Sequence, residues 1–432
     1  MTVKNLLFKN SRPLKYFIFS LTCVVFAVIL TSCEQNPTAP NEPPKPPGYQ
    51  EDIYWPSLAD SPWPMEHHDP QNTGRSQYGG PRIGEIEWSL DSIFIRNSIA
   101  VGADSSIYVS TGEGLYAIKP NGQTKWFFEF PEEGGISYST PLVAADGTIY
   151  CSSNGITKNF YAVNANGTLK WQVKDIDLKM NAINIGLDGT LYFIQSGGTL
   201  TALSRYGKIL WTYTDSRFYG GDNSGLSISP DGKTLYLFTY IVEGWLAAFD
   251  IESRTIKWNF GDAISGHPAV DNDGNIYLIA NVDSIYQGIA AVYSLDQQGR
   301  IRWSQPLYSG HAYFFSTPII DKNGNIYCGY DSLYSFDYNG MLRWKKALCT
   351  DCPLGFGIIR SPLICDNSGT VYVSIHYDDL VLKEITAFKT DGSILWSLTP
   401  SFYIRGLYSI VIGFKNDIFY PNYEVYKFFK II

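Results

Sequence analysis

A set of four short apolar runs separated by glycine turns recurs along this chain, and that repeat constrains the fold more than any other feature. In residues 139–171 an apolar run meets an Asp146-Gly147 turn. A second run comes next (148–152), then a loop, a third run (160–164), an Asn166-Gly167 turn and a fourth run ending at Trp171. Runs this short, bounded by Asp-Gly and Asn-Gly, read as antiparallel strands joined by tight hairpins, because glycine tolerates the positive φ those turns need. Two marks repeat after residue 85. One is a branched residue or Leu followed by an aromatic: Ile107-Tyr108, Ile149-Tyr150, Leu191-Tyr192, Leu235-Tyr236, Ile276-Tyr277, Ile326-Tyr327, Val371-Tyr372 and a weaker Ile418-Phe419. The other is Gly-x-x-x-Trp: Gly122/Trp126, Gly167/Trp171, Gly207/Trp211, Gly299/Trp303, Gly340/Trp344 and Gly392/Trp396. Trp258 fits with Arg254 in the glycine place, and Trp88 fits with Gly84.

The eight tryptophans (Trp88, Trp126, Trp171, Trp211, Trp258, Trp303, Trp344 and Trp396) are spaced by a mean of 44 residues. A repeat of that period with four strands per unit is a propeller blade. The last unit, from 407 onward, has three strands and no terminal Trp, whereas residues 86–90 around Trp88 have no strands before them. Placing 86–90 as the fourth strand of the last unit pairs both chain ends and removes an open sheet edge. The expected fold is therefore all-β: an eight-bladed β-propeller of four-stranded antiparallel blades, the last closed by an N-terminal strand. Seven blades would leave marks unpaired, and a solenoid would leave uncapped ends. The repeated Trp reads as structural docking between blades, one large indole per unit at a fixed strand position. No long segment has an apolar period of 3.6, and 31 tyrosines suit strands.

The N-terminus reads as an export signal and anchor. Residues 1–15 are basic, and 16–30 form a 15-residue apolar core, short for a span but right for a signal peptide. Leu30-Thr31-Ser32-Cys33 comes directly after and resembles the bacterial lipobox, in which Cys33 would become the lipidated first residue. The expected organisation is a signal in 1–32, a lipidated Cys33 with a Pro-rich tether in 33–60, a lead-in packing on the propeller in 61–84, and the propeller in 85–432. Glu34 after the Cys favours, by resemblance, the outer membrane of a bacterial envelope. Net charge is −8, and about −12 without the four basic residues of the signal. That balance argues against a nucleic-acid partner, which needs a basic footprint.

No metal site is expected. Adjacent residues on an extended chain point opposite ways, so His67-His68-Asp69 does not read as a shared metal site, and His267 and His311 stand alone in sequence. Asp271-Asn272-Asp273-Gly274 and Asp321-Lys322-Asn323-Gly324 carry glycine at the wrong place for a calcium loop and read as turns. Cys151 and Cys328 hold equivalent strand positions and read as small buried residues. Cys349 and Cys352 form a C-x-x-C in a loop, read as a local disulfide, since no second pair or His partner sits nearby.

Ser361-Pro362 to Val373, and Ala248-Phe249-Asp250 to Trp258, resemble the PQQ-like propeller repeat and its tryptophan-docking motif. The resemblance covers residues 62–432. It implies one of two functional groups: quinoprotein dehydrogenases, which bind PQQ and calcium, or non-catalytic lipoproteins similar to BamB of the outer-membrane barrel-assembly machinery. The dehydrogenases use a vicinal Cys-Cys disulfide, which this chain lacks. No catalytic set stands out either, so the chain reads as no enzyme, with no cofactor. The feature in favour of binding is the loop composition opposite the short turns: Arg217, Phe218, Tyr219, Tyr286, Tyr308, Tyr313, Phe314, Phe356, Arg360, Tyr377, Phe402, Tyr403 and Arg405. Aromatics with arginine are the composition of interaction hot spots. The expectation is a monomeric, membrane-anchored scaffold for an envelope protein partner. The alternatives are a PQQ-dependent periplasmic dehydrogenase using PQQ and calcium, or a glycan-binding lipoprotein.

Overall fold

The computed structural model describes residues 44–432 apart from 92, 94, 96–97, 131–138, 155–157, 179–182, 219–224, 240–244, 262–263, 282–288, 309–316, 349–357, 360, 377–381, 401–409 and 422–426. Cys33, Cys349 and Cys352 therefore lie outside the described residues. The chain divides between Pro46 and Pro47, and Pro47–Ile432 forms one compact unit.

In that unit eight antiparallel sheets succeed one another in a propeller ring, all but the last with their strands in sequence order. Blade 2 is typical: Leu142–Val143, Ile149–Asn154, Lys158–Val163 and Leu169–Val173, here strands A to D. Blade 8 takes Ile86–Asp91 as its strand D, paired with Lys427–Ile431, so the first strand of the ring closes the last blade. Blade 7 departs slightly, with its strand A split into Ile358–Ile359 and Ile364–Cys365. Among the described residues the only helix is one 3₁₀ turn, Ser216–Phe218.

The two marks meet inside each blade. The strand B tyrosine faces the strand D tryptophan of its own blade at 5.7–6.0 Å between ring centroids, from Tyr108–Trp126 to Tyr372–Trp396. In blade 8, Phe419 faces Trp88 at 6.1 Å. A register shift precedes the tryptophan in every strand D and sets the indole opposite a small residue, Ala or Ser, in seven blades (Ala117, Ala162, Ala202, Ala248, Ser294, Ser335, Ala387). A bulge of this kind bends the strand and re-aims one side chain. Here it turns the indole toward the next blade.

There the indole N–H donates to a backbone carbonyl of the neighbour's C–D turn. Trp88 reaches Pro120, Trp126 reaches Ala165, Trp171 reaches Arg205, Trp258 reaches Gln297, Trp303 reaches Tyr338 and Trp344 reaches Thr390, all at 2.9–3.1 Å. The glycine of each Gly-x-x-x-Trp thus receives the tryptophan of the preceding unit, not its own. At Gly340 (φ +84°) a Cβ would lie 2.5 Å from the Trp303 ring. In blade 4 the glycine place holds Arg254, which adopts φ +57° and sets its guanidinium 5.7 Å from the Trp211 ring centroid. The ring closes when Trp396 donates to Pro81 at 2.9 Å, with Gly84 beneath the indole.

Gly340→Ala should therefore lower unfolding stability by about 1–3 kcal/mol, because it combines a left-handed backbone with a clash. Gly197→Ala, which meets nothing within 4 Å, should shift the urea midpoint little by comparison.

Candidate functional site: the propeller axis

The first strands of adjacent blades touch one another and line the axis. As edge strands they leave N–H and C=O groups unpaired, which a buried site cannot tolerate without partners. Residues 61–80 supply them. The N–H groups of Val101, Val143, Ile228, Val270, Ile320 and Cys365 donate to the carbonyls of Trp63, Pro64, Pro70, Gln71, Thr73 and Gly74 at 2.7–3.0 Å. These donors occupy one equivalent position in blades 1, 2, 4, 5, 6 and 7. In blade 3 the Asn184 carboxamide takes over, donating to Pro70 O at 3.0 Å and Leu226 O at 3.2 Å. The lead-in is thus wound along the inner strands, one carbonyl after another.

The segment before it also lies against the blades. Gln50 N–H donates to Lys322 O, the Trp55 indole donates to Ile185 O at 2.9 Å, and Leu58 bridges Ala144. Residues 48–60, read from composition as the end of a tether, form a strap over the A–B turns. Between strap and lead-in lies a pocket of ≈ 270 Å³, whose lining includes Asp52, Trp55, His68, Gln71, Arg75 and Asn272.

Asp69 shapes the lead-in. Its carboxylate accepts from the backbone N–H of Gln71 (3.1 Å) and Thr73 (3.0 Å) and from the Thr73 hydroxyl. His68 Nδ1 lies 3.2 Å from it. Just upstream, His67 and His68 both hold left-handed backbones, φ +56° and +77°. Non-glycine residues persist there only when surrounding structure fixes them, and such positions cluster at functional sites.

His67 is brought against His267, their ring centroids 4.7 Å apart. His267 lies in strand A of blade 5 (Ile264–Val270), where the ladder is interrupted between Ser265 and Ala269. Pro268 has no N–H to give that ladder, and the irregularity frees the histidine from regular pairing. Glu66 joins them, so that one ligand atom from each of Glu66, His67 and His267 lies within 4.8 Å of the others. His67 is 2% exposed. Its Nε2 and the His267 Nδ1 are buried without a hydrogen-bond partner.

Burial dominates the electrostatics. It pushes His267 down to about 4 and His67 well below the ordinary value, the latter helped by the neighbouring His267 charge. Both rings are neutral at pH 7, each with a lone pair to offer. Burial raises Glu66 to about 7, against a hydrogen bond from Thr140 that lowers it. The donor set, two imidazoles and one carboxylate, suits a borderline transition metal more than calcium, which takes a shell of oxygens. It does not match the calcium that accompanies PQQ.

Sequence reasoning missed this group because its members are 200 residues apart in the chain. The only local signal was the histidine pair at 67–68. Of the loop-face candidates, Arg217 is half exposed, held by Asp215 at 2.6 and 2.9 Å and stacked 4.6 Å over Trp245. Phe218 is 1% exposed and packs between Tyr213 and Trp245, so its ring belongs to the core and not to an accessible surface. Tyr308 ends strand D of blade 5 opposite Ile289. Tyr219, Tyr286, Tyr313, Phe314, Phe356, Arg360, Tyr377, Phe402, Tyr403 and Arg405 lie outside the described residues.

The axial groups give stability a pH dependence with two opposed parts. The histidines have depressed folded values, so their contribution is full above about 6.5 and is lost as pH falls toward 4. Glu66 has a raised folded value, so its contribution is full below 4.5 and is lost as pH rises through 7. In chelator-containing buffer, Glu66→Gln should be more stable than the native chain at pH 8 by roughly 2 kcal/mol and show no such gain at pH 4, read from urea midpoints.

Comparison with known proteins agrees with the ring. A family model described as "Outer membrane protein assembly factor BamB" matches residues 75–224. BamB from Moraxella catarrhalis superposes with a TM-score of 0.54 at 16% identity, over 80% of this chain and 97% of that one. A europium-containing methanol dehydrogenase superposes with a TM-score of 0.59 at 13% identity, over 83% and 89%. At these identities the likeness is one of fold. A lambda-carrageenase from Pseudoalteromonas sp is 24% identical over 155 residues, 35% of this chain, and the match spans only 16% of that protein's length. The closed ring of eight blades, its tryptophan docking and the match over 75–224 make this chain an eight-bladed β-propeller that is similar to the PQQ-like propellers, BamB among them.

Proposed function

We propose that this chain is a lipid-anchored protein of the bacterial envelope that acts as a protein-interaction scaffold and carries out no reaction of its own. The observation that carries this reading is the axis: residues 61–80 fill it and take the inner-strand N–H groups of six blades. The surface left for variation is then the loop face, where function concentrates on a rigid scaffold. The match to the BamB model and the near-complete coverage of the Moraxella protein support a role of that kind at the outer membrane. Cys33 would carry the lipid, and the B–C and D–A loops would meet an envelope protein. Arg217, already held by Asp215 and Trp245, would lose little side-chain entropy on binding.

The carrageenase match favours a second reading, a glycan-binding propeller with the same anchor. Its mark would be retention of the protein on sulfated polysaccharide resin.

A photo-crosslinking residue at position 217 of the full chain, in cells that export it, tests the proposal. A discrete protein adduct is expected at 217 and not at Asp231 in the A–B turn of blade 4, and Arg217→Ala should weaken capture by about tenfold. Equal labelling at both positions would sink the loop-face reading. Cys33→Ser should release the protein from the membrane fraction. In a titration with PQQ and calcium no saturable binding is expected; saturable binding with dye reduction would establish the dehydrogenase alternative instead.

A further inference from the structure

We propose that Glu66, His67 and His267 form a binding site for one divalent transition metal, with zinc as the ion tested, which fastens the lead-in to blade 5. Two buried nitrogens point to it. His67 Nε2 and His267 Nδ1 have no hydrogen-bond partner, although imidazole nitrogens removed from water need one. The two residues also share a group with a carboxylate: one nitrogen of each ring and one oxygen of Glu66 lie within 4.8 Å of one another. Around tetrahedral zinc, ligand atoms are separated by about 3.3 Å, given bonds of about 2.0 Å. The group would contract toward that spacing on binding the ion.

The surroundings are shaped for the histidines. A Cβ at Gly225, the first residue of strand A in blade 4, would lie 2.0 Å from His267 Nδ1. Gly225 has no left-handed backbone, so the space for the imidazole, and not a turn, requires the glycine. The His67 backbone is held left-handed, with its carbonyl accepting from Gly74 N–H at 3.1 Å. Thr140 hydrogen-bonds Glu66 and would orient the carboxylate, as outer-shell partners of metal ligands do.

Donor chemistry selects the ion. Imidazole nitrogens with one carboxylate suit zinc and its neighbours, whereas magnesium and calcium require oxygens. Three protein ligands leave a fourth position for water. The metal would join two lead-in residues to one blade residue, adding a coordinate link to the hydrogen bonds that already hold residues 61–80 on the axis.

The test uses the full-length chain, purified in detergent with a tag free of histidine and stripped with a chelator. Zinc is titrated by calorimetry, and cobalt(II) by visible absorption, with calcium as the comparison ion. The expected result is one equivalent of zinc bound at about 1 µM or tighter, a cobalt spectrum of four-coordinate intensity, and no calcium uptake at that level. Zinc should also raise the melting temperature, since it binds only the folded chain. Glu66→Gln and His267→Gln should each weaken zinc by about 100-fold or more, while His68→Gln, whose ring lies beside Asp69 and outside the group, should bind as the native chain does. Comparing melting temperatures without metal separates a lost ligand from a lost fold. Failure of the folded native chain to take up zinc, or equal uptake by the Glu66→Gln and His267→Gln variants, would overturn the proposal.

Discussion

The docking of each blade's indole on its neighbour, in seven of the eight through a hydrogen bond to a backbone carbonyl, is the contact on which the ring depends. A blade is a four-stranded sheet with too little interior to stand alone, so its faces must be covered by the blades on either side. The tryptophan does this at one defined point. The bulge in strand D aims it, a small residue opposite gives it room, and a left-handed residue in the next turn lets backbone and indole approach. These are local conditions, which is why the repeat can vary elsewhere. They must also close on themselves, and the last docking, Trp396 on Pro81, ties the end of the repeats to the residues that precede the first one.

The ring was legible in the sequence because its determinants are local. Asp-Gly and Asn-Gly turns, a buried tyrosine and a spaced tryptophan each report their place within a window of a few residues. Counting them yields the blade number and the closure by residues around Trp88. Less legible was the direction of docking: the pattern Gly340-x-x-x-Trp344 places glycine and indole side by side in sequence, while in space Gly340 holds Trp303 and Trp344 moves on to Thr390. Arg254 was readable as the substitute for glycine, though only its φ of +57° explains how an arginine serves there.

The axis was not legible. Residues 61–80 have no periodicity, and their pairing is carried by carbonyls, which every residue has. Nothing in composition distinguishes a segment that donates shape to an axis from one that packs outside. The Glu66, His67 and His267 group has no spacing to recognise, since one partner comes from the lead-in and the other from a strand interrupted near Pro268. Phe218 shows the opposite failure. Its loop composition suggested a contact surface, yet the 3₁₀ turn folds its ring inward and leaves Arg217 outside.

An axial lead-in that precedes all eight blades constrains how the ring can close. Residues 61–80 precede in sequence every inner strand that binds them, so the ring must either close around them or open to admit them. The last blade cannot complete itself until Lys427–Ile431 arrives to pair with Ile86–Asp91. A chain permuted to begin at a blade boundary would keep every docking contact of the ring but would have to insert its axle into a nearly finished wheel.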